Sequence, residues 1–262
     1  MSAMPKALWG VAAAALTALF GYAGMAYAQD PNALWQIVHG ECVPDQRQHG
    51  DPKPCADVNL AHGVAAGYAI LKDIRGATQF LLIPTGRVSG IESGSLLSRG
   101  APHYFADAWT ARGFVEKALG HAMPRDSLSL AINSEFARSQ NQLHIHIDCV
   151  RADVRDALMR ERATIGRHWA PLGVALAGHH YRAMRVTGAT LGEHDPFKLL
   201  ASGVPGARSD MGHRTLVVVG MTFADHKPGF AILEDRADPA HGDKAGGEEL
   251  QDHACALGHQ AR

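Results

Sequence analysis

Charge of one sign is missing from this 262-residue chain: 25 Lys and Arg stand against 26 Asp and Glu, for a formal net charge of -1. Without a broad positive field the chain is a poor match for nucleic-acid phosphates, and no nucleic-acid partner is expected. Charged residues make up only 19% of the chain and hydrophobic ones 46%, which excludes disordered and collagen-like chains and supports a substantial core. Also absent are a C-x-x-C pair and an H-E-x-x-H motif, the common sequence signs of zinc. Histidine is abundant instead, at 16 residues, but most stand singly in loops, where a solvated side chain is the plain reading.

What is present begins at the N-terminus. From Ala7 to Ala28 run 22 uncharged residues behind Lys6, closing on Ala26-Tyr27-Ala28 before Gln29-Asp30. This reads as an export signal. At about 1.5 Å per residue the run spans roughly 33 Å as a helix, so two outcomes stay open. Cleavage after Ala28 releases a soluble periplasmic body; retention leaves a single-pass anchor in the bacterial inner membrane with Lys6 on the cytoplasmic side. Four cysteines suit that compartment. Cys42 and Cys55 bracket a segment rich in Pro, Gly, Asp and Gln with little apolar content, so a local bridge is expected there, which leaves Cys149 to pair with Cys255.

Along the chain, Gln29 to Asn59 reads as loop. Gly67 to Asp73 and Gln79 to Pro84 form a hairpin, an amphipathic helix runs from Ala101 to Leu119, and Leu128 to Asn133 and Leu143 to Val150 give two further strands. A second helix is expected over Asp153 to Arg167, then a hairpin of Thr215 to Phe223 with Gly229 to Asp235, and a polar, Gly-rich loop from Asp238 to Glu249. Strands, helix and strands again give an α+β arrangement. The division is a signal or anchor at residues 1–28, a core at 29–155 and a C-terminal extension at 156–262.

The sharpest chemical feature is Ser139 to Ile147, SQNQLHIHI. In an extended chain side chains alternate, so Gln142, His144 and His146 share one face while Leu143, Ile145 and Ile147 take the other. Such a histidine pair serves as metal ligands, as an acid or base with its orienting partner, or as a nucleophile beside a phosphate-binding neighbour. Spacing alone does not choose. Asn133-Ser134 and Ser139-Gln140 flank the pair with uncharged hydrogen-bonding groups suited to ribose and phosphoryl oxygens, which favours phosphoryl chemistry.

These residues resemble the histidine triad superfamily of nucleotide hydrolases and transferases. Within it the chain looks most similar to the bacterial CDP-diacylglycerol diphosphatases, through Trp35 to Val38, Cys42 to Cys55, Tyr68 to Asp73, LLIPTGRVSGIES at 81–93, Ser129 to Ser134, Gln140 to Ile147, Arg151 to Arg155 and Gln251 to His253. The resemblance implies a HIT-like antiparallel sheet with packed helices, an N-terminal membrane segment, and CDP-diacylglycerol and the membrane surface as partners. It implies hydrolysis to CMP and phosphatidate through a cytidylyl-histidine intermediate, with no metal and no cofactor. His144 matches the nucleophile, His146 the third triad histidine, and Asn133 and Ser139 the nucleotide-binding positions. Gln142 stands where the first triad histidine is usual; an amide there donates and accepts hydrogen bonds but cannot titrate. Arg87, Arg138 and Lys72 are candidate counterions for the diphosphate, and His179, His180 and Arg182 form a small basic cluster that suits a lipid phosphate. Two rivals remain: an enzyme acting on other nucleoside diphosphate conjugates, and a periplasmic protein that binds nucleotide or metal without turnover.

Overall fold

The structure, a computed structural model, describes residues 30–260, so the signal or anchor expected over residues 1–28 lies outside it. Among the described residues no helix is long and apolar enough to cross a membrane. Nine strands form a single sheet in the order β1-β2-β3-β5-β4-β8-β9-β7-β6, with every neighbouring pair antiparallel. The strands are β1 (Asp57–Asn59), β2 (Tyr68–Lys72), β3 (Phe80–Pro84), β4 (Leu128–Ile132), β5 (Ile145–Cys149), β6 (Ala170–Pro171), β7 (Arg182–Thr187), β8 (Arg214–Thr222) and β9 (Pro228–Arg236). The α+β class read from the sequence is the observed one.

Alternation along the strands sorts side chains onto two faces. Leu82, Leu130, Ile145 and Ile147 meet Phe105, Ala108 and Trp109 in the larger core, where α3 (Tyr104–Ala111) lies over β3, β4 and β5 and is followed by α4 (Gly113–Leu119). Phe105 is 1% exposed; truncating such a ring to Ala costs about 3–5 kcal/mol. On the opposite face Ala69, Leu81 and Ile83 pack with Val38, Cys42 and Val43. That second core is made by a segment that reads as loop in the sequence. It folds as α1 (Ala33–Ile37), a π turn (Val38–Cys42) and α2 (Val43–His49). The π turn inserts a residue into the helical repeat, so the apolar positions do not recur at 3.6, and Gly40 and Pro44 mask the helix further.

Cys42 bonds Cys55 and Cys149 bonds Cys255, the pairing expected from the sequence. The second bridge ties the end of β5 to the chain just ahead of α7 (Ala256–Gln260). The helix expected to reach Arg167 is α5 (Ala152–Glu161), closed where the Thr164 hydroxyl donates to the Glu161 carbonyl at 2.8 Å. Beyond it, β6, β7 and α6 (Pro196–Gly203) join the anticipated β8–β9 hairpin; Asp195 caps α6 by accepting from the Phe197 amide at 3.0 Å. The C-terminal portion thus continues the sheet, with Ala131 of β4 opposite Val217 of β8.

One connection bears directly on the site. Residues 243–250 cross the face of the sheet that carries His146, forming a strap. At Gly247 a Cβ would stand 2.6 Å from the Thr215 hydroxyl and 3.0 Å from a Val217 methyl, so only glycine lets the strap lie this close.

Candidate active site

His144 sits immediately before β5, where the Leu143 amide bonds the Val88 carbonyl rather than the strand ladder, and His146 lies within β5 opposite Leu81 and Ala131. Their rings meet edge to face with centroids 4.8 Å apart. Both are buried, at 7% and 4% exposure, which disfavours the charged imidazolium. Burial, only partly opposed by the Gln142 carbonyl and by Glu248, holds His144 below its ordinary value, and burial likewise takes His146 to about 3.

Hydrogen bonds fix the tautomer of His144. Its Nδ1 lies 2.7 Å from the Gln142 backbone carbonyl, which only accepts, so the ring proton resides on Nδ1 and the lone pair on Nε2. Gln142 supplies this carbonyl while its own side chain, fully buried, donates at 2.9 Å to the carbonyls of Pro84 and Gly86 and accepts from the Val88 amide at 3.3 Å. Gln142 therefore anchors the loop after β3 and gives His144 its orientation. A small cleft opens at this point, lined by Gly90, Ile132, Asn133, Arg138, Gln142, Leu143 and His144. Next to it, past the Glu92–Arg138 pair with contacts of 2.6 and 2.9 Å, a groove of about 280 Å³ runs along Glu135 and residues 208–213.

The strap adds a carboxylate that the histidine motif gave no sign of. Glu248 Oε1 lies 3.3 Å from His146 Nδ1, and the Gln79 amide nitrogen reaches both, donating to Glu248 at 3.2 Å and meeting Nδ1 at 2.7 Å. With Gln79 as donor, His146 carries its proton on Nε2, a buried atom with no partner among the described residues. Asn133 grips Glu248 from the other side, its amide donating to Oε2 at 2.7 Å. Burial works against the charge on Glu248, yet His146 and the two amides outweigh it and hold the carboxyl at about 2. Imidazole and carboxylate favour each other's charge, but desolvation prevails at the ring, so at neutral pH the pair is a carboxylate beside a neutral imidazole. A further layer follows: His253 Nδ1 donates to the fully buried Asp148 at 2.8 Å, which raises the His253 pKa, and Gln251 bonds the His146 carbonyl at 3.3 Å.

Not every residue singled out in the sequence converges here. Asn133, Gln142, His144 and His146 do. Ser139 is exposed, and its hydroxyl makes no hydrogen bond among the described residues. Of the candidate counterions only Arg138 lines the cleft, and it is paired with Glu92; Arg87 bonds Asn32 and stacks over Trp35, and Lys72 bonds the carbonyls of Asp73 and Gly76. In the His179–Arg182 cluster His179 lies beside Asp243 and Glu249 and Arg182 beside Glu234, so two of its three basic groups already face acids, while His180 is exposed. Gln79, Glu248 and His253 were missed because their link to the histidines is tertiary.

The class is that of an α+β hydrolase. The model of the family described as CDP-diacylglycerol pyrophosphatase matches residues 29–259, nearly all of the chain. A CDP-diacylglycerol pyrophosphatase of Yersinia pestis is 42% identical over 238 residues, covering 90% of this chain and 89% of that protein. The chain belongs to the CDP-diacylglycerol pyrophosphatase family.

Proposed function

We propose that the protein hydrolyses CDP-diacylglycerol to CMP and phosphatidate, a step of phospholipid metabolism, with His144 as the nucleophile. The observation that carries this reading is the tautomer: a buried, neutral imidazole whose proton is committed to the Gln142 carbonyl offers an Nε2 lone pair to the cleft. Nε2 attacks the cytidylyl phosphorus in line, a P–N bond forms as the P–O bond of the anhydride breaks, and phosphatidate departs as a phosphate anion that needs no added proton. Water then attacks the same phosphorus and loses one proton to solvent, the P–N bond breaks with the electron pair returning to Nε2, and CMP leaves with the hydroxyl. In this reading the Nε2–H of His146, unpartnered among the described residues, donates to a non-bridging oxygen, where charge stabilisation contributes most. Gln79 holds that ring by donating to its Nδ1, with Glu248 and Asn133 behind Gln79, and Ser139 at the rim contacts the nucleotide.

The lipid substrate gives the N-terminal segment a purpose. The Asp30 carbonyl accepts from the Gln140 amide at 2.9 Å, and the Pro31 carbonyl accepts from the Asn141 backbone at 2.6 Å, so Asp30 and Pro31 are held beside the segment that leads to Gln142 and His144. Anchored in the inner membrane, the segment would hold the site at the surface in which the acyl chains are embedded.

Mixing enzyme with substrate radiolabelled in the cytidylyl phosphate, and denaturing within milliseconds at alkaline pH where a P–N bond survives, should leave label on His144. His144→Ala should lose the label and lower turnover by about 10⁴-fold or more while melting as the wild type does. Label on another residue, or near-normal turnover by the variant, would remove His144 from the role.

A further inference from the structure

On the same sheet face, beyond β8, the strap begins at a second polar cluster that the proposed reaction does not use. One ligand-type atom each from His179, Asp235 and Asp243 lies within 4.8 Å of the other two. His179 precedes β7, Asp235 is near the end of β9, and Asp243 opens the strap. His179 Nδ1 is 3.5 Å from Asp243 Oδ1 and 3.0 Å from Glu249 Oε1, and Glu249 also accepts from the Tyr181 hydroxyl at 2.6 Å. Ligands bound to one ion at about 2.0–2.2 Å stand about 3.3–3.6 Å apart in a tetrahedral shell; the His179–Asp243 pair has that spacing, and all three atoms lie within 4.8 Å of one another.

Hydrogen bonding within the protein leaves this cluster incomplete. Asp235 is 8% exposed, and its Oδ2 is fully buried with no partner among the described residues. A buried carboxylate oxygen without a donor is costly, and here a second carboxylate faces it.

We propose that His179, Asp235 and Asp243 bind one divalent transition-metal ion, with Glu249 at its edge. An imidazole among carboxylates suits zinc better than the all-oxygen shells of calcium or magnesium. His179 and Asp243 are partly exposed, which leaves the ion a way in and room for water. The role is structural: the ion pins the start of the strap to β9, and five residues further on the same strap delivers Glu248 to His146.

Untagged full-length protein, stripped with EDTA and titrated with zinc by calorimetry, should bind one equivalent that both His179→Ala and Asp243→Asn lack. At a hundredfold excess over Kd, zinc should raise the wild-type melting temperature by about 5–10 °C and leave both variants unmoved. The metal-free comparison separates this from a purely hydrogen-bonding role. Asp243→Asn removes a like-charge contact, so without zinc it should melt at or above the wild type, whereas a hydrogen-bonding role would make it melt lower. Zinc shifts of equal size in all three proteins, no shift in any, or stabilisation by calcium but not by zinc would overturn the assignment. Native mass spectrometry of the zinc-loaded wild type checks the stoichiometry independently of variant folding.

Discussion

Two neutral imidazoles buried side by side make the site acid-sensitive in a way that can be counted in protons. In the unfolded chain His144 and His146 titrate near 6.5, whereas in the folded protein burial holds both below that value. Groups with a depressed folded pKa give their full stability above the unfolded value and lose it as pH falls toward the folded one. As pH falls from about 6 to 4.5 the unfolded state therefore comes to bind close to one more proton at His146, for a slope approaching about 1.4 kcal/mol per pH unit, and His144 adds to it with the same sign. His146→Asn should lower the slope by about 1.4 kcal/mol per pH unit, measured as the difference between urea unfolding free energies of variant and wild type across that range. His253 acts with the opposite sign and in another window. Its hydrogen bond to Asp148 raises its pKa, so its contribution is complete below about 6.5 and fades as pH rises through the folded value. An unchanged slope in His146→Asn would mean that His146 is charged in the folded protein, and the donor role proposed for its Nε2 would have to be rebuilt.

At the scale of elements, the strap is what turns a strand with two histidines into an enclosed site. Its closeness depends on Gly247, because a methyl there would press on Thr215 and Val217, whose positions the β8 ladder fixes. Gly247→Ala should lift the strap, part Glu248 from Asn133 and His146, and lower kcat/KM by about tenfold or more, since small displacements of positioning groups are costly to rate. Pairing it with Thr215→Ala, which removes the nearest atom, should recover part of the loss in the same steady-state assay; no recovery would trace the damage to the Val217 methyl and the Ile132 carbonyl instead. The strap also marks where sequence reading stops. Strands β2, β3, β4, β5, β8 and β9 were legible because their apolar runs are bounded by turn residues, and the histidine pair because alternation puts both rings on one face. Residues 243–250 carry no period, with Ala245 and Leu250 the sole apolar residues among Gly and charge, and Glu248 becomes a site residue solely because Asn133 and Gln79, more than a hundred residues away, donate to it. The α1–α2 segment was illegible for a different reason, a π turn that breaks the repeat, and β7 because Arg182 and Arg185 interrupt its apolar pattern.

For the whole molecule, the question is how a cleft small enough to orient a diphosphate meets a substrate held in a bilayer. The chain supplies a route, since Asp30 and Pro31 are hydrogen-bonded to Gln140 and Asn141, within four residues of His144. A segment fixed in the membrane at residues 1–28 would confine the cleft to the layer where headgroups lie, and confinement of this kind raises effective concentration by about 10²-fold or more without any new contact. Deleting residues 1–28 leaves Asp30 and its hydrogen bond in place, so the catalytic geometry should persist. Turnover of a short-chain, monomeric CDP-diacylglycerol should then stay within about twofold of the full chain, while turnover of the same headgroup in vesicles should fall by about 10²-fold. Equal losses on both substrates would point to damage at Asp30 and the 138–142 loop. Equal activity on both would mean that the cleft finds the bilayer without an anchor, through surface on the body itself, where the 84%-exposed Ile74 and the 40%-exposed Phe136 beside His213 are the first residues to replace.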